Sequence, residues 1–371
     1  MKKIILVLLT LFLFFLSGCW DAKDLGKSDI AIIATYDLAQ ESEKLKPGDR
    51  VVVDLQTPVM GEDVKEKAQV VESVGQTVGE GRNTRGNRSS RYVSITAIRS
   101  LIFGESLASE GLGDVLDIVY RNPFLSYTVK LAVVDGYAKD LLKVEPKSFP
   151  YIGEEINGLL TYISQQNFVP QVNLAEFHID ETNYGRNPVL PVIAAKAKDK
   201  IEISGVAIFK KDFLVGKIDA TKMVFLTLLR GDKGHGVITF PLPGEEEVLI
   251  SLQGANSRKV KVGFEEDRAI IDIDIFFKGD IIEVEKSNIL DKYMDKFELV
   301  KQGAKDYMES NCLEVLSTLQ NDYRVDALNT GAVARARYGK SIEHSDWDEL
   351  FSNADIRVNA HVKIRNHGSI Q

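Results

Sequence analysis

The sequence predicts an α+β fold, a multi-domain mixed α/β body with mainly antiparallel sheets and a long helix in the C-terminal domain. Three observations predict it. Strand-like and helix-like segments alternate through the first half of the chain, as in layered folds. Between residues 203 and 277 short apolar runs follow one another, separated by turn residues, as antiparallel strands do. Farther on, Val300, Ala304, Met308, Cys312, Val315 and Leu319 recur at steps of three or four, the stripe of one long helix.

The elements follow in chain order. Residues 21–29 are polar and read as a tether. Residues 30–36 and 50–55 read as paired strands with a turn at Pro47, Gly48 and Asp49. Residues 64–78 set Val70, Val71, Val74 and Val78 at helical spacing. Residues 79–91 are rich in glycine and arginine and read as a loop. Residues 98–103 form a buried strand. Residues 111–120 form a helix with Leu112, Val115, Leu116 and Val119 inward, ended by Asn122-Pro123. A strand over 127–134 and a helix over 151–166 complete this half.

Polar residues with Pro188 and Pro191 make 180–200 the boundary region. A hairpin follows, 203–209 and 214–216, turning at Lys210, Lys211 and Asp212. Asp219 is placed to cap a helix that runs to residue 229. Strands are expected at 237–240, 248–252, 260–264 and 270–277, then the long helix and a helical turn at 347–351. In the last segment Ile356, Val358, Ala360, Val362 and Ile364 alternate with polar residues, a strand with one wet face.

Lys2 and Lys3 precede an almost unbroken apolar run of 13 residues, 4–16, and then Leu16-Ser17-Gly18-Cys19. A membrane-spanning helix needs about 20 residues, so the run has the size of a signal-peptide core. Small residues before a cysteine form a lipobox, and cleavage makes a lipidated Cys19 the N-terminus. One acyl chain holds a protein only marginally, and two hold it stably. The chain thus divides into a signal peptide (1–18), a lipidated tether (19–29), an N-terminal domain (30–199, open to two subdomains) and a C-terminal domain (200–371).

Composition narrows the function. Hydrophobic residues at 44% and charged residues at 27% describe a globular body. The formal charge is −8, and the leader removes two lysines and no acid, so nucleic acid is no partner. With Cys19 lipidated, Cys312 stands alone and no intramolecular disulfide can form. The five histidines show no metal-ligand spacing, and no GxSxG or CxxC is present. No enzyme chemistry, metal or cofactor is expected. Asp272, Asp274 and His361 sit on solvated strand faces, His235 in a polar glycine-rich loop, and Cys312 on the buried helix stripe. Arg82, Arg85, Arg88 and Arg91 face a single acid, Glu80, across the glycine-rich stretch. Four guanidinium groups suit lipid phosphates or an acidic partner surface.

The sequence resembles the C-subunit lipoproteins of spore germinant receptors, the Ger(x)C family. The resemblance rests on Gly18-Cys19-Trp20-Asp21, on the run from Ile98 through Gly104-Glu105-Ser106 to Gly111, and on Arg121-Asn122-Pro123. It continues through Gly205-Val206-Ala207-Ile208-Phe209 to Gly216, Val325-Asp326-Ala327-Leu328, and Trp347-Asp348-Glu349-Leu350-Phe351. The arginine-rich stretch and the residues after Val325-Asp326 depart from the family pattern, which marks a divergent member. The resemblance implies a non-enzymatic subunit on the outer face of the inner spore membrane. It would work with integral-membrane A and B subunits in nutrient-triggered germination. A solute-binding lipoprotein that captures a nutrient directly is the alternative, and a cell-wall hydrolase lacks the necessary residues.

Overall fold

The computed structural model describes residues 28–39, 48–59, 67–87, 89–166, 168–232, 234–266, 268–285 and 297–365. The leader, Cys19, most of the tether and Arg88 lie outside these.

An eight-stranded mixed sheet forms the larger layer. Its central strands are parallel: β2 (Ile33–Leu38), β6 (Ser100–Gly104), β7 (Lys130–Val134) and β8 (Val189–Ala197). Antiparallel strands flank them, β3 (Val51–Pro58) and β4 (Ala68–Gly75) on one side, β9 (Lys200–Lys210) and β10 (Phe213–Asp219) on the other. A parallel pair, β1 (Ser28–Ile30) with β5 (Tyr92–Ser94), lies beside it. Residue 199 falls in the turn between β8 and β9, which pair with each other, so this sheet runs across the expected boundary.

Helices cover both faces. On one, α4 (Ala138–Leu141) and α5 (Ile152–Gln166) bury Ala138, Ile152, Ile156 and Leu160 against Ile33, Ile102 and Val134. On the other stand α1 (Val78–Gly86), α2 (Glu105–Glu110), α3 (Gly113–Tyr120), α6 (Leu174–Thr182) and α7 (Ala220–Arg230). The apolar core on this second face continues without a break into the second sheet.

The second sheet runs β11 (His235–Leu242), β12 (Glu245–Glu265), β13 (Arg268–Glu285) and β14 (Asp355–Ile364). The long helix α8 (Phe297–Ser317) packs along β14 and β11 and against α7. Its stripe residues Val300, Ala304, Met308, Cys312 and Val315 are all buried, as is Leu319 in the turn that follows. Fully burying a large apolar side chain is worth about 1.5–3 kcal/mol, so this face fixes the helix. A π-helical turn (Thr318–Tyr323) ends it, and α9 (Thr330–Tyr338) and α10 (Trp347–Ser352) follow. The hairpin β9–β10, the Asp219 cap on Thr221 and Lys222, and the alternating β14 match their expectations.

Three expectations are corrected. In the span 64–78, expected as a helix, residues 68–75 are not helical. They are the edge strand β4, antiparallel to β3, because β-branched Val70, Val71 and Val74 fit a pleated edge better than a helix turn. Residues 79–91 are not all loop, since α1 occupies their first half. Thr77 caps it by accepting from the Glu80 amide at 3.1 Å, while Glu80 reaches back to the Gln76 amide at 2.9 Å. The separate strands expected at 248–252 and 260–264 are one 21-residue strand, β12. Gly254 pairs with Gly279 there, and a Cβ on Gly254 would stand 2.4 Å from the Lys278 carbonyl oxygen.

Candidate functional site

The arginine segment leads to a cavity. Helix α1 lies over the edge formed by β3 and β4, and α3 closes the far side. Between them is a narrow cavity of about 70 Å³. Its walls are mainly aliphatic, with Val53 and Leu55 from β3, Val93 from β5, and Ile98, Ile118 and Leu125 beyond. Arg82 and Arg85 line it three residues apart, on one face of α1. Arg82 is exposed and Arg85 is half-buried. Neither makes an ion pair with an acid among the described residues.

Tyr36 reaches the cavity from β2 and is only 6% exposed. Its ring stacks on Phe103 at 5.6 Å. Its hydroxyl has no hydrogen-bond partner among the described residues. Burial pushes the phenol up to about 12, and the Arg85 charge pulls the other way. Burial also holds the Arg85 guanidinium below its ordinary value, with Arg82 adding to the effect and Tyr36 opposing it. The other polar groups in the lining are engaged. Ser73 donates to the Val53 carbonyl at 3.1 Å, and Asn122 accepts from the Phe124 amide at 3.0 Å. Among the described residues no Asp or Glu lines the cavity. The arrangement can receive an anion with an apolar body.

The predicted arginines therefore separate. Arg82 and Arg85 come together at the cavity. Arg91 instead pairs with Asp29 at 2.8 Å and ties β5 to β1. Arg88 lies outside the described residues, as does Cys19. The other candidates fall on structural positions. Asp272 and Asp274 face Lys261 and Lys259 across β12 and β13. His361 Nε2 lies 3.1 Å from Asp274 Oδ1 and its ring stacks on Phe276. His235 is exposed at the start of β11. Cys312 is fully buried 3.9 Å from the Phe225 carbonyl, and burial pushes its thiol up, away from the reactive thiolate.

Two further features carry no local sequence signal. On the opposite face of the large sheet Asp54 is 3% exposed, and one carboxylate oxygen has no partner among the described residues. Burial pushes it up to about 7, and Glu72 and Asp37 push the same way. The second feature is a buried polar clamp where the large sheet meets the C-terminal segment. Asp326 accepts from the Leu328 and Gly331 amides, the Thr330 hydroxyl and the Trp347 indole, all at 2.7–2.9 Å. Burial raises its pKa, and these four donors pull against that. Asn187, just before β8, donates to Asp348 at 2.8 Å and to the Asp326 carbonyl at 3.3 Å. Arg230 at the end of α7 donates to Asp232 at 2.9 Å, to Asp180 of α6 at 3.4 Å and to the Ala327 carbonyl. Burial works against its charge, but the two acids outweigh it and its pKa stands above the ordinary value. Most of the motif residues near 326 and 348 are thus spent on joining segments of the chain.

Comparison with known proteins agrees with this architecture. Residues 21–195 match the family model described as the spore germination protein N-terminal domain. Residues 204–368 match the model described as spore germination B3/GerAC like, C-terminal. The chain is 25% identical to the spore germination protein GerQC of Bacillus cereus over 355 residues, covering 95% of this chain and 96% of that protein. It is 23% identical to spore germination protein B3 of Bacillus subtilis (strain 168), covering 96% and 95% of the two chains. Its fold matches the crystal structure of the GerBC protein with a TM-score of 0.59 at 16% identity, over 93% of this chain and 100% of that one. With both domain models matched in order along nearly the whole chain, this protein belongs to the Ger(x)C family of spore germination proteins as a divergent member.

Proposed function

We propose that this chain is a lipid-anchored, non-catalytic subunit of a spore nutrient germinant receptor. It is held by a lipidated Cys19 at the outer face of the inner spore membrane, beside integral-membrane A and B subunits. The observation that carries the reading is the ordered match of both spore germination domain models over this chain. The lipobox at Leu16-Ser17-Gly18-Cys19 supports the anchor. No helix among the described residues is long and apolar enough to cross a membrane.

Chain reach favours a membrane-proximal arginine segment. Nine residue steps separate Cys19 from Ser28, and an extended chain spans at most about 3.3–3.6 Å per residue, or roughly 30 Å in all. Strand β1 therefore stays within that distance of an anchored Cys19. Its partner β5 carries Tyr92, beside Arg91. In this reading the exposed side of the arginine segment contacts lipid headgroups or an acidic face of a partner subunit. The division near residue 200 marks two units of sequence that share one sheet.

The test is Cys19→Ala in the intact spore. Loss of the protein from the membrane fraction together with loss of nutrient-triggered germination is the expected result. Full germination with a soluble, unlipidated body overturns the proposal.

A further inference from the structure

We infer that the cavity beneath α1 binds a small carboxylate with an apolar body, its head held by Arg85, Arg82 and the Tyr36 hydroxyl. This inference goes beyond receptor membership and stands without it, because it rests on the cavity alone.

The head group follows from what is left unsatisfied. Two guanidinium groups three residues apart on one helix repel each other, and no acid among the described residues pairs with either. A carboxylate between them relieves that repulsion and can accept a forked pair of hydrogen bonds from arginine. Tyr36 adds a neutral donor. Tyr36 lines the same cavity, and its hydroxyl has no hydrogen-bond partner among the described residues. Arg91 is not available for the role, since Asp29 holds it.

Size and lining define the rest of the ligand. The wall is aliphatic and the room is about 70 Å³. An apolar cavity of about 150 Å³ holds one benzene, so the apolar part here is a short branched chain of roughly four carbons and not the paired acyl chains of a phospholipid. The described lining residues include no Asp or Glu. An α-amino acid would bring an ammonium group beside two guanidinium groups, with no acid among the described lining residues to receive it, and like charges repel. The site should therefore prefer a simple carboxylic acid to the amino acid of the same skeleton. Phe124 and Tyr92, both exposed, stand among the lining residues.

Titration calorimetry on the full mature lipoprotein in detergent tests this, with isovalerate, isovaleramide, leucine, octanoate and inorganic phosphate as probes. The expected result is saturable isovalerate binding, at least tenfold tighter than isovaleramide, leucine or octanoate, and not displaced by equimolar phosphate. Arg85→Gln should weaken isovalerate about tenfold and Tyr36→Phe about threefold, each with unchanged thermal unfolding. No saturation by about 10 mM isovalerate overturns the inference, as does equal binding of isovalerate and its amide. Leucine binding as tightly as isovalerate overturns the exclusion of ammonium, and tighter octanoate overturns the size limit. Phosphate displacing isovalerate would reduce the site to a surface anion patch. The comparison of probes on the unmodified protein decides the matter even if a variant fails to fold.

Discussion

The buried clamp around Asp326 and the cavity beside Arg85 both carry charge in the interior or near it, and they treat that charge in opposite ways. In the clamp every charged group has partners. Asp326 has four donors, and Arg230 has two acids and a carbonyl. In the cavity two guanidinium groups and the Tyr36 phenol face mainly aliphatic walls, with no acid among the described lining residues. Saturated polar networks rigidify and specify a structure. Unsaturated ones lose free energy until something arrives to satisfy them. The clamp reads as architecture and the cavity as a place prepared for a ligand.

Asp326 carries the largest expected effect. Asp326→Ala strands four donors and leaves Arg258, already pushed down to about 10 by burial and by Arg230, with Asp232 as the remaining acid that supports its charge. A loss of about 5 kcal/mol is expected in urea unfolding, and a loss under about 1 kcal/mol would contradict the architectural reading. Asp54 gives the next largest effect and the opposite sign. Its folded pKa is raised, so the folded state holds the proton more tightly than the unfolded chain. Stability contributed by Asp54 is full below pH 4, declines as pH rises to about 7, and stays low above that. Asp54→Asn should therefore stabilise the protein at pH 8 by up to about 4 kcal/mol and change little at pH 4. A pH-independent effect would show that the carboxyl is not the cause.

Packing at the clamp sets a third, smaller test. Gly185, at φ +67°, and Gly331 touch backbone to backbone, and a Cβ on Gly331 would lie 2.4 Å from the Gly185 Cα and 2.5 Å from the Trp347 ring. Gly331→Ala should cost about 2–3 kcal/mol in the same assay, and a neutral result would mean the two segments can part freely. The smallest effect belongs to the cavity. Arg85→Gln should change stability by less than about 0.5 kcal/mol, since no ion pair is lost. A large destabilisation there would make Arg85 another structural residue and erase the contrast.

How much of this was legible in the sequence depends on how local each cause is. The Thr77-Val78-Gly79-Glu80 capping signature was present in the sequence, yet the glycines and arginines around it suggested a loop. The valines of β4 fit helix and strand spacing alike, and only their pairing with β3 decided between them. Tyr36, Asp54, Asn187 and Asp180 gave no sign of their roles. Their partners lie far along the chain: Arg85, which lines the same cavity as Tyr36, is 49 residues away, and Asn187 bonds Asp348 across 161 residues.

By itself the sequence determined the α+β class, the stripe of α8, the Asp219 cap, the β9–β10 hairpin and the wet face of β14. It also determined the family, through short motifs kept in order. Each of these is written in side-chain periodicity or in neighbours a few residues apart, where backbone geometry alone sets the outcome. Tertiary structure decided the rest: which arginines meet, which one is neutralised by Asp29, the merging of β12 into one strand, and the existence of the cavity. Burial and charge pairing depend on what the folded chain brings alongside, and that arrangement belongs to the whole molecule.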